Sequence, residues 1–254
     1  MSDPNIEKLW FRRFQPSPQA ASRLICFPHA GGSAVYYRPV ALRLAGRADV
    51  LAVQYPGRQD RYTEPCLDDV RELAAQVHRV MGGLTDLPLT LFGHSMGASV
   101  AFEVARLLEA DGHRLSRVFA SGRRAPSRPH RGELVHQRDD DGIVAELKDL
   151  SGTDPAILAD PEILRMVLPV LRSDYRAAET YRGTPGAVLT SPITALTGDA
   201  DPQTPIPDAE AWAEHTSADF RLEVFPGGHF FLTERPQDVI SLLADHLDAL
   251  GAPA

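Results

Sequence analysis

The chain has 254 residues, with 34 Asp and Glu against 26 Lys and Arg and a net charge of −8, which argues against a nucleic-acid binder. A hydrophobic content of 43% and a charged content of 24% are those of an ordinary globule, and an α/β domain of this length needs no disulfide or metal staple. Two cysteines, Cys26 and Cys66, make no disulfide framework and point to a reduced, cytoplasmic setting.

Residues 1–8 hold no basic stretch followed by an apolar core, so no signal peptide is read there. No apolar run reaches the length of a membrane span. Apolar, β-leaning runs at 23–28, 49–56, 89–92, 117–121, 193–197 and 220–225 read as six strands. Helical spacing appears at 67–81 (Val70, Leu73, Ala74, Val77, Val80), at 98–110 (Val100, Ala101, Val104, Leu107, Leu108) and at 236–250 (Val239, Ile240, Leu243, Leu247, Leu250). Strands alternating with helices predict an α/β fold, a mostly parallel sheet covered on both faces. The segment 121–131 is basic and Pro-rich and reads as a loop, and the tail 251–254 reads as frayed.

The alternation fails over about 126–182, where no good strand occurs. Asp140-Asp141 can cap a helix carrying Ile143, Val144, Leu147 and Leu150, which Gly152 would end. Asp160 can cap a second helix with Pro161 at its first position. That helix carries Ile163, Leu164, Val167, Leu168 and Leu171, and Pro169 should kink or break it. This stretch is expected to be a helical lid inserted into a single domain of residues 1–254.

At 89–102 an apolar run feeds into Gly93-His94-Ser95-Met96-Gly97, and a helix-forming run follows. G-x-S-x-G alone arises by chance in roughly one chain in ten of this length, so its context carries the reading. Strand before, helix after and a downstream Asp and His make it the nucleophile elbow of an α/β-hydrolase. The turn residue is strained, and side chains two positions either side would collide with neighbouring elements, hence the glycines. Ser95 projects its hydroxyl at the tip, and the helix N-terminus aims the Met96 amide at any negative charge forming there.

A serine hydroxyl needs a general base, and the base needs an orienting acid; in this fold they follow in the order Ser, acid, His. His229, in Pro226-Gly227-Gly228-His229-Phe230-Phe231 just after the last strand run, is the expected base. His29, His78 and His94 precede the serine, and His246 within the last helix suits a solvated face. The acid lies in Gly198-Asp199-Ala200-Asp201-Pro202. Asp201, held out of helix by Pro202, is preferred over Asp199, which can serve the turn, and over the more distant Asp208. The second oxyanion donor is expected from Phe27-Pro28-His29-Ala30-Gly31-Gly32, at the Ala30 amide. A cysteine nucleophile lacks elbow context. No phosphate loop, dinucleotide fingerprint or metal-spaced cluster occurs, so neither cofactor nor metal is expected.

The segments 27–32, Gln54-Tyr55-Pro56-Gly57-Arg58, 93–97, 198–202 and 227–230 together resemble the type II thioesterases, the stand-alone editing enzymes of polyketide and nonribosomal peptide synthesis. The Tyr-Pro-Gly-Arg segment is the more diagnostic part; Tyr55 and Arg58 can also be read as bracing the neighbouring loop. The resemblance implies hydrolysis of acyl thioesters on the phosphopantetheine arm of an acyl or peptidyl carrier protein. It implies Ser95 as nucleophile, Asp201 as acid, His229 as base, and Ala30 and Met96 as oxyanion amides. Met96, Leu164, Val167, Leu168 and Tyr175 are then the expected substrate-binding wall. Arg12, Arg13, Arg123, Arg124, Arg128 and Arg131 are candidates for steering an acidic carrier. The rival expectations are a carboxylester hydrolase, an acyltransferase and a non-catalytic binding protein, all of the same fold.

Overall fold

The computed structural model describes residues 4–150 and 160–251. Seven strands form one sheet: β1 Phe11–Arg12, β2 Arg23–Phe27, β3 Asp49–Val53, β4 Leu89–His94, β5 Arg117–Ser121, β6 Ile193–Gly198 and β7 Phe220–Phe225. Their order is β1-β3-β2-β4-β5-β6-β7. Only β1 runs antiparallel, pairing Phe11 with Val53 and Arg12 with Ala52. All six expected strands are present. β1 is an addition, too short at two residues to show any alternation in the sequence.

The helices are α1 Pro4–Trp10, α2 Arg38–Arg43, α3 Val70–Arg79, α4 Met96–Ala110, α5 Asp140–Asp149, α6 Pro161–Thr180, α7 Ile206–Glu210, α8 Phe231–Glu234 and α9 Pro236–Gly251. β2, β3, β4 and β6 are buried along their whole lengths, because helices cover both faces. On one face Leu73 and Val77 of α3 and Val100 and Phe102 of α4 share a core with Ile25, Leu91 and Trp212. On the other, Ala41 of α2 and Ile240 and Leu243 of α9 pack with Leu24, Phe92 and Phe119. The expected helix over 67–81 begins only at Val70, because the Asp69 side chain caps it by accepting from the Arg71 and Glu72 amides.

His246 on α9 is half-buried rather than fully solvated. Its Nε2 lies 3.0 Å from Thr90 Oγ1 and its ring stands edge-on to Phe119. Burial, with the charges of Arg117 and Arg221, lowers its pKa to about 4.

Between β5 and β6 the chain leaves the sheet and builds α5 and α6. Asp139 caps α5, one residue before the expected pair, because its side chain reaches the Gly142 amide at 2.9 Å. Gly152, expected to end that helix, lies outside the described residues. Asp160 caps α6, accepting from Glu162 N and Ile163 N at 2.8 and 3.3 Å, with Pro161 next. Pro169 does not break α6, which runs through it to Thr180. A mid-helix proline removes one backbone bond and crowds the preceding turn, at about 3 kcal/mol. Burial of Val170, Leu171, Ala177 and Ala178 just beyond it offsets that cost. No residue of 161–169 is buried, so Pro169 divides an exposed half of α6 from a packed one.

Candidate active site

Ser95 stands between β4 and α4 with φ 53° and ψ −121°. A side-chain-bearing residue held there costs about 1–3 kcal/mol, so the neighbourhood must enforce it. Its amide donates to the Ser121 carbonyl at 2.8 Å, fixing the turn against β5. The flanking glycines are obligatory: a Cβ on Gly93 would lie 2.2 Å from the Gly97 carbonyl oxygen, and one on Gly97 would lie 2.1 Å from the Phe27 oxygen.

His229 follows β7 in a loop that turns at Gly227, φ 131°. Its buried Nδ1 lies 2.9 and 3.1 Å from the two Asp201 oxygens. Asp201 is itself oriented, since its Oδ1 accepts from the Gln203 and Thr204 amides at 2.8 and 3.2 Å. Asp199 serves the turn instead, accepting from Gly227 N at 3.0 Å. Asp208 lies 3.6 Å from Arg131. The tautomer in which Nδ1–H donates to Asp201 leaves Nε2 as a proton acceptor. Ser95 and His229 line the same cavity.

Two more imidazoles crowd this spot. The His94 ring is centred 5.0 Å from His229 and 6.0 Å from His29. Burial, and then repulsion from neighbouring positive groups, pushes His94 well below the usual range and His29 to about 3. Both are neutral at physiological pH. Among these three rings only His229 carries a carboxylate partner. Burial raises the Cys26 thiol pKa, which keeps it from acting as a thiolate.

The loop after β2 supplies amides. The Gly31 amide donates to Asp174 at 2.7 Å, and the Gly32 amide to the His29 carbonyl at 2.9 Å. Among the described residues the Ala30 amide meets no protein acceptor. Met96 opens α4, where an amide has no intrahelical acceptor. The arrangement is a nucleophile, an oriented base and two amides at a helix N-terminus, the parts of an acyl-transfer site.

The cavity is about 560 Å³. Val167 and Tyr175 line it; Met96, Leu164 and Leu168 do not. The Met96 side chain is fully buried in the core beneath α4. The lining face of α6 runs through Val167, Leu171, Tyr175 and Ala178, so Leu168, one residue on, points round the helix. Leu164 lies a turn outward, in the exposed half. Leu147, Leu150 and Val135 line the wall but were not among the expected residues, because helical spacing marks an apolar face without saying what it faces.

The six arginines do not form one steering face. Arg12 pairs with Asp60, Arg13 with Asp49 and Arg128 with Glu214. Arg123 and Arg124 line the cavity but are largely buried. Burial lowers the Arg123 pKa to about 10, and its guanidinium donates to Ser99 and to the Ala178 carbonyl. Arg131 alone combines an exposed side chain with a place on the cavity lining. Linear charge density does not reveal which charges are already paired. Among the described residues no group of three or more His, Cys, Asp or Glu is placed to hold a metal, and no helix is long and apolar enough to cross a membrane.

The family model "Thioesterase domain" matches residues 22–247. Thioesterase PikA5 of Streptomyces venezuelae is 51% identical over 249 residues, covering 96% of this chain and 88% of the relative. The probable cadicidin biosynthesis thioesterase of Streptomyces griseus is 52% identical over 242 residues, covering 95% of this chain; the chain spans 64% of that relative's length. Among solved structures, the type II thioesterase BorB from the borrelidin biosynthetic cluster superposes with a TM-score of 0.89 at 50% identity, covering 97% of this chain and 99% of that one.

Proposed function

This chain belongs to the thioesterase family, among its type II members, and on that premise we propose that Ser95, His229 and Asp201 hydrolyse acyl thioesters held on the phosphopantetheine arm of an acyl or peptidyl carrier protein. The observation that carries the reading is that His229, 2.9 Å from Asp201, lines one cavity with a serine held at positive φ. In this reading His229 takes the Ser95 proton as Oγ attacks the thioester carbonyl. The Ala30 and Met96 amides hold the oxyanion, and Asp201 stabilises the imidazolium. His229 then returns the proton to the departing pantetheine sulfur. A thiol, more acidic than an alcohol, leaves readily. Water, deprotonated by His229, attacks the acyl-serine and frees the acid.

We read α5 and α6 as a lid on one hydrolase domain, with Val167, Tyr175, Leu147 and Leu171 flanking the acyl chain. The role is clearance of aberrant or stalled acyl groups from a polyketide or nonribosomal peptide assembly line, in the cytoplasm, where the two free cysteines stay reduced. The test is mass spectrometry of carrier proteins loaded with different acyl chains, incubated with the enzyme and with Ser95→Ala. Loss of acyl mass only with the intact serine is the expected result. Faster turnover of the matching oxygen ester would reject the thioesterase reading in favour of a carboxylester hydrolase.

A further inference from the structure

Asp174 lies on the packed half of α6, fully buried, and three donors converge on it. Arg58 donates from Nη1 to Oδ2 at 2.5 Å and from Nη2 to Oδ1 at 2.8 Å. The Gly31 amide donates to Oδ2 at 2.7 Å. The same Arg58 Nη1 reaches the Gly32 carbonyl at 3.2 Å, and its Nε reaches the Pro56 carbonyl at 3.2 Å. One ion pair thus holds both the Gly31 amide and the Gly32 carbonyl, immediately downstream of Ala30.

The contact is tight. Gly31 has φ +76°, and a Cβ there would lie 2.5 Å from Leu171 Cδ2, one turn before Asp174 on α6. With its own amide committed to Asp174, Gly31 cannot serve the oxyanion, and the peptide following Ala30 is locked in one orientation. Stability alone is a poor account of such a pair, since buried ion pairs hold little advantage over apolar packing. Catalytic amides, by contrast, must be preset to within about half an ångström. Burial works against the charge on Arg58, but the charge and hydrogen bonds of Asp174 outweigh it, so the guanidinium stays ionised.

We propose that Asp174 is a positioning residue that, with Arg58, sets the Ala30 amide for the developing oxyanion and ties that amide to the lid helix. The inference rests on the proposed hydrolysis, in which Ala30 is an oxyanion donor. Two variants test it. Asp174→Ala removes all three bonds. Asp174→Asn keeps the shape and can still accept from Gly31, but it cannot hold Arg58 as an ion pair, and it carries the test should the alanine variant fail to fold.

Two rates and one affinity are measured: thioester kcat, labelling of Ser95 by a fluorophosphonate, whose phosphoryl oxygen occupies the same amides, and Kd for a non-hydrolysable acyl-pantetheine amide. Deleting an oxyanion donor outright costs about 10²–10³-fold in rate, so misplacing one should cost about 10- to 100-fold in both rates. The amide Kd should stay within about threefold. Rates within threefold of wild type in a folded variant, or an equal fall in rates and ground-state affinity, would overturn the proposal. A wild-type enzyme that is labelled but does not cleave the thioester would refute the substrate reading and leave the labelling comparison intact.

Discussion

Asp201→Asn changes one atom and should nearly silence the enzyme without unfolding it. Asp201 Oδ1 accepts from the Gln203 and Thr204 amides, so the asparagine oxygen must take that position. Its NH₂ then faces His229 Nδ1, at about the 2.9 Å now spanned by Oδ2. A donor facing Nδ1 forces the imidazole to carry its proton on Nε2. That nitrogen can no longer accept the Ser95 proton, and no carboxylate remains to stabilise an imidazolium. Loss of the correct tautomer costs about 10⁴-fold in kcat, or about 5.5 kcal/mol of barrier. The assay is release of free thiol from an acyl-pantetheine thioester, beside a thermal melt that should move little. A folded variant retaining more than a tenth of wild-type kcat would refute the assignment of Asp201 as the orienting acid.

Two further outcomes follow from the packing. Gly97→Ala places a methyl 2.1 Å from the Phe27 carbonyl oxygen, where only backbone can yield. It should destabilise by about 2–3 kcal/mol and lower Tm by about 5–10 °C in differential scanning calorimetry. His246, with a folded pKa near 4 against about 6.5 unfolded, binds its proton more readily in the unfolded chain. It therefore contributes stability that is full above pH 6.5 and is lost as pH falls toward 4. The limiting slope is about 1.4 kcal/mol per pH unit, less here because the ring is partly solvated. In urea titrations, His246→Gln should lose less stability than wild type between pH 7 and pH 5.

The elbow was legible because its residues lie together in the chain. Gly93 is dictated by a collision with Gly97 four residues on, Gly97 by the neighbouring strand at Phe27, and the strand and helix beside them are long and apolar. His229 and Asp201 were legible by chain order and by the loops they occupy, although they meet across 28 residues. The cavity lining was less legible. Val167 and Leu168 look alike in the sequence, and only the rotation of α6 about its axis decides which one faces the cavity. Asp174 carries no local signal, because it sits inside an amphipathic helix and its partners are 116 and 143 residues away. The partners of the arginines were hidden for a related reason: Arg13 and Asp49 are separated by 36 residues, so the sequence does not show that Arg12, Arg13 and Arg128 are paired with carboxylates.

The site is assembled against local preference. Ser95 holds an unfavourable backbone, and buried His29 Nδ1 and His94 Nε2 have no hydrogen-bond partner among the described residues. Such costs persist only where surrounding structure leaves no alternative. Here β4 lies between β2 and β5, with Gly93 in register with Phe27 on one side and Ala120 on the other. The Ser95 amide is bonded to the Ser121 carbonyl, and Gly97 is pressed against Phe27. Relaxing the serine would therefore require breaking the central strands of the sheet. The neutral imidazoles belong to the same logic: low-pKa rings beside His229 add no fixed positive charge where, in the proposed mechanism, a proton comes and goes.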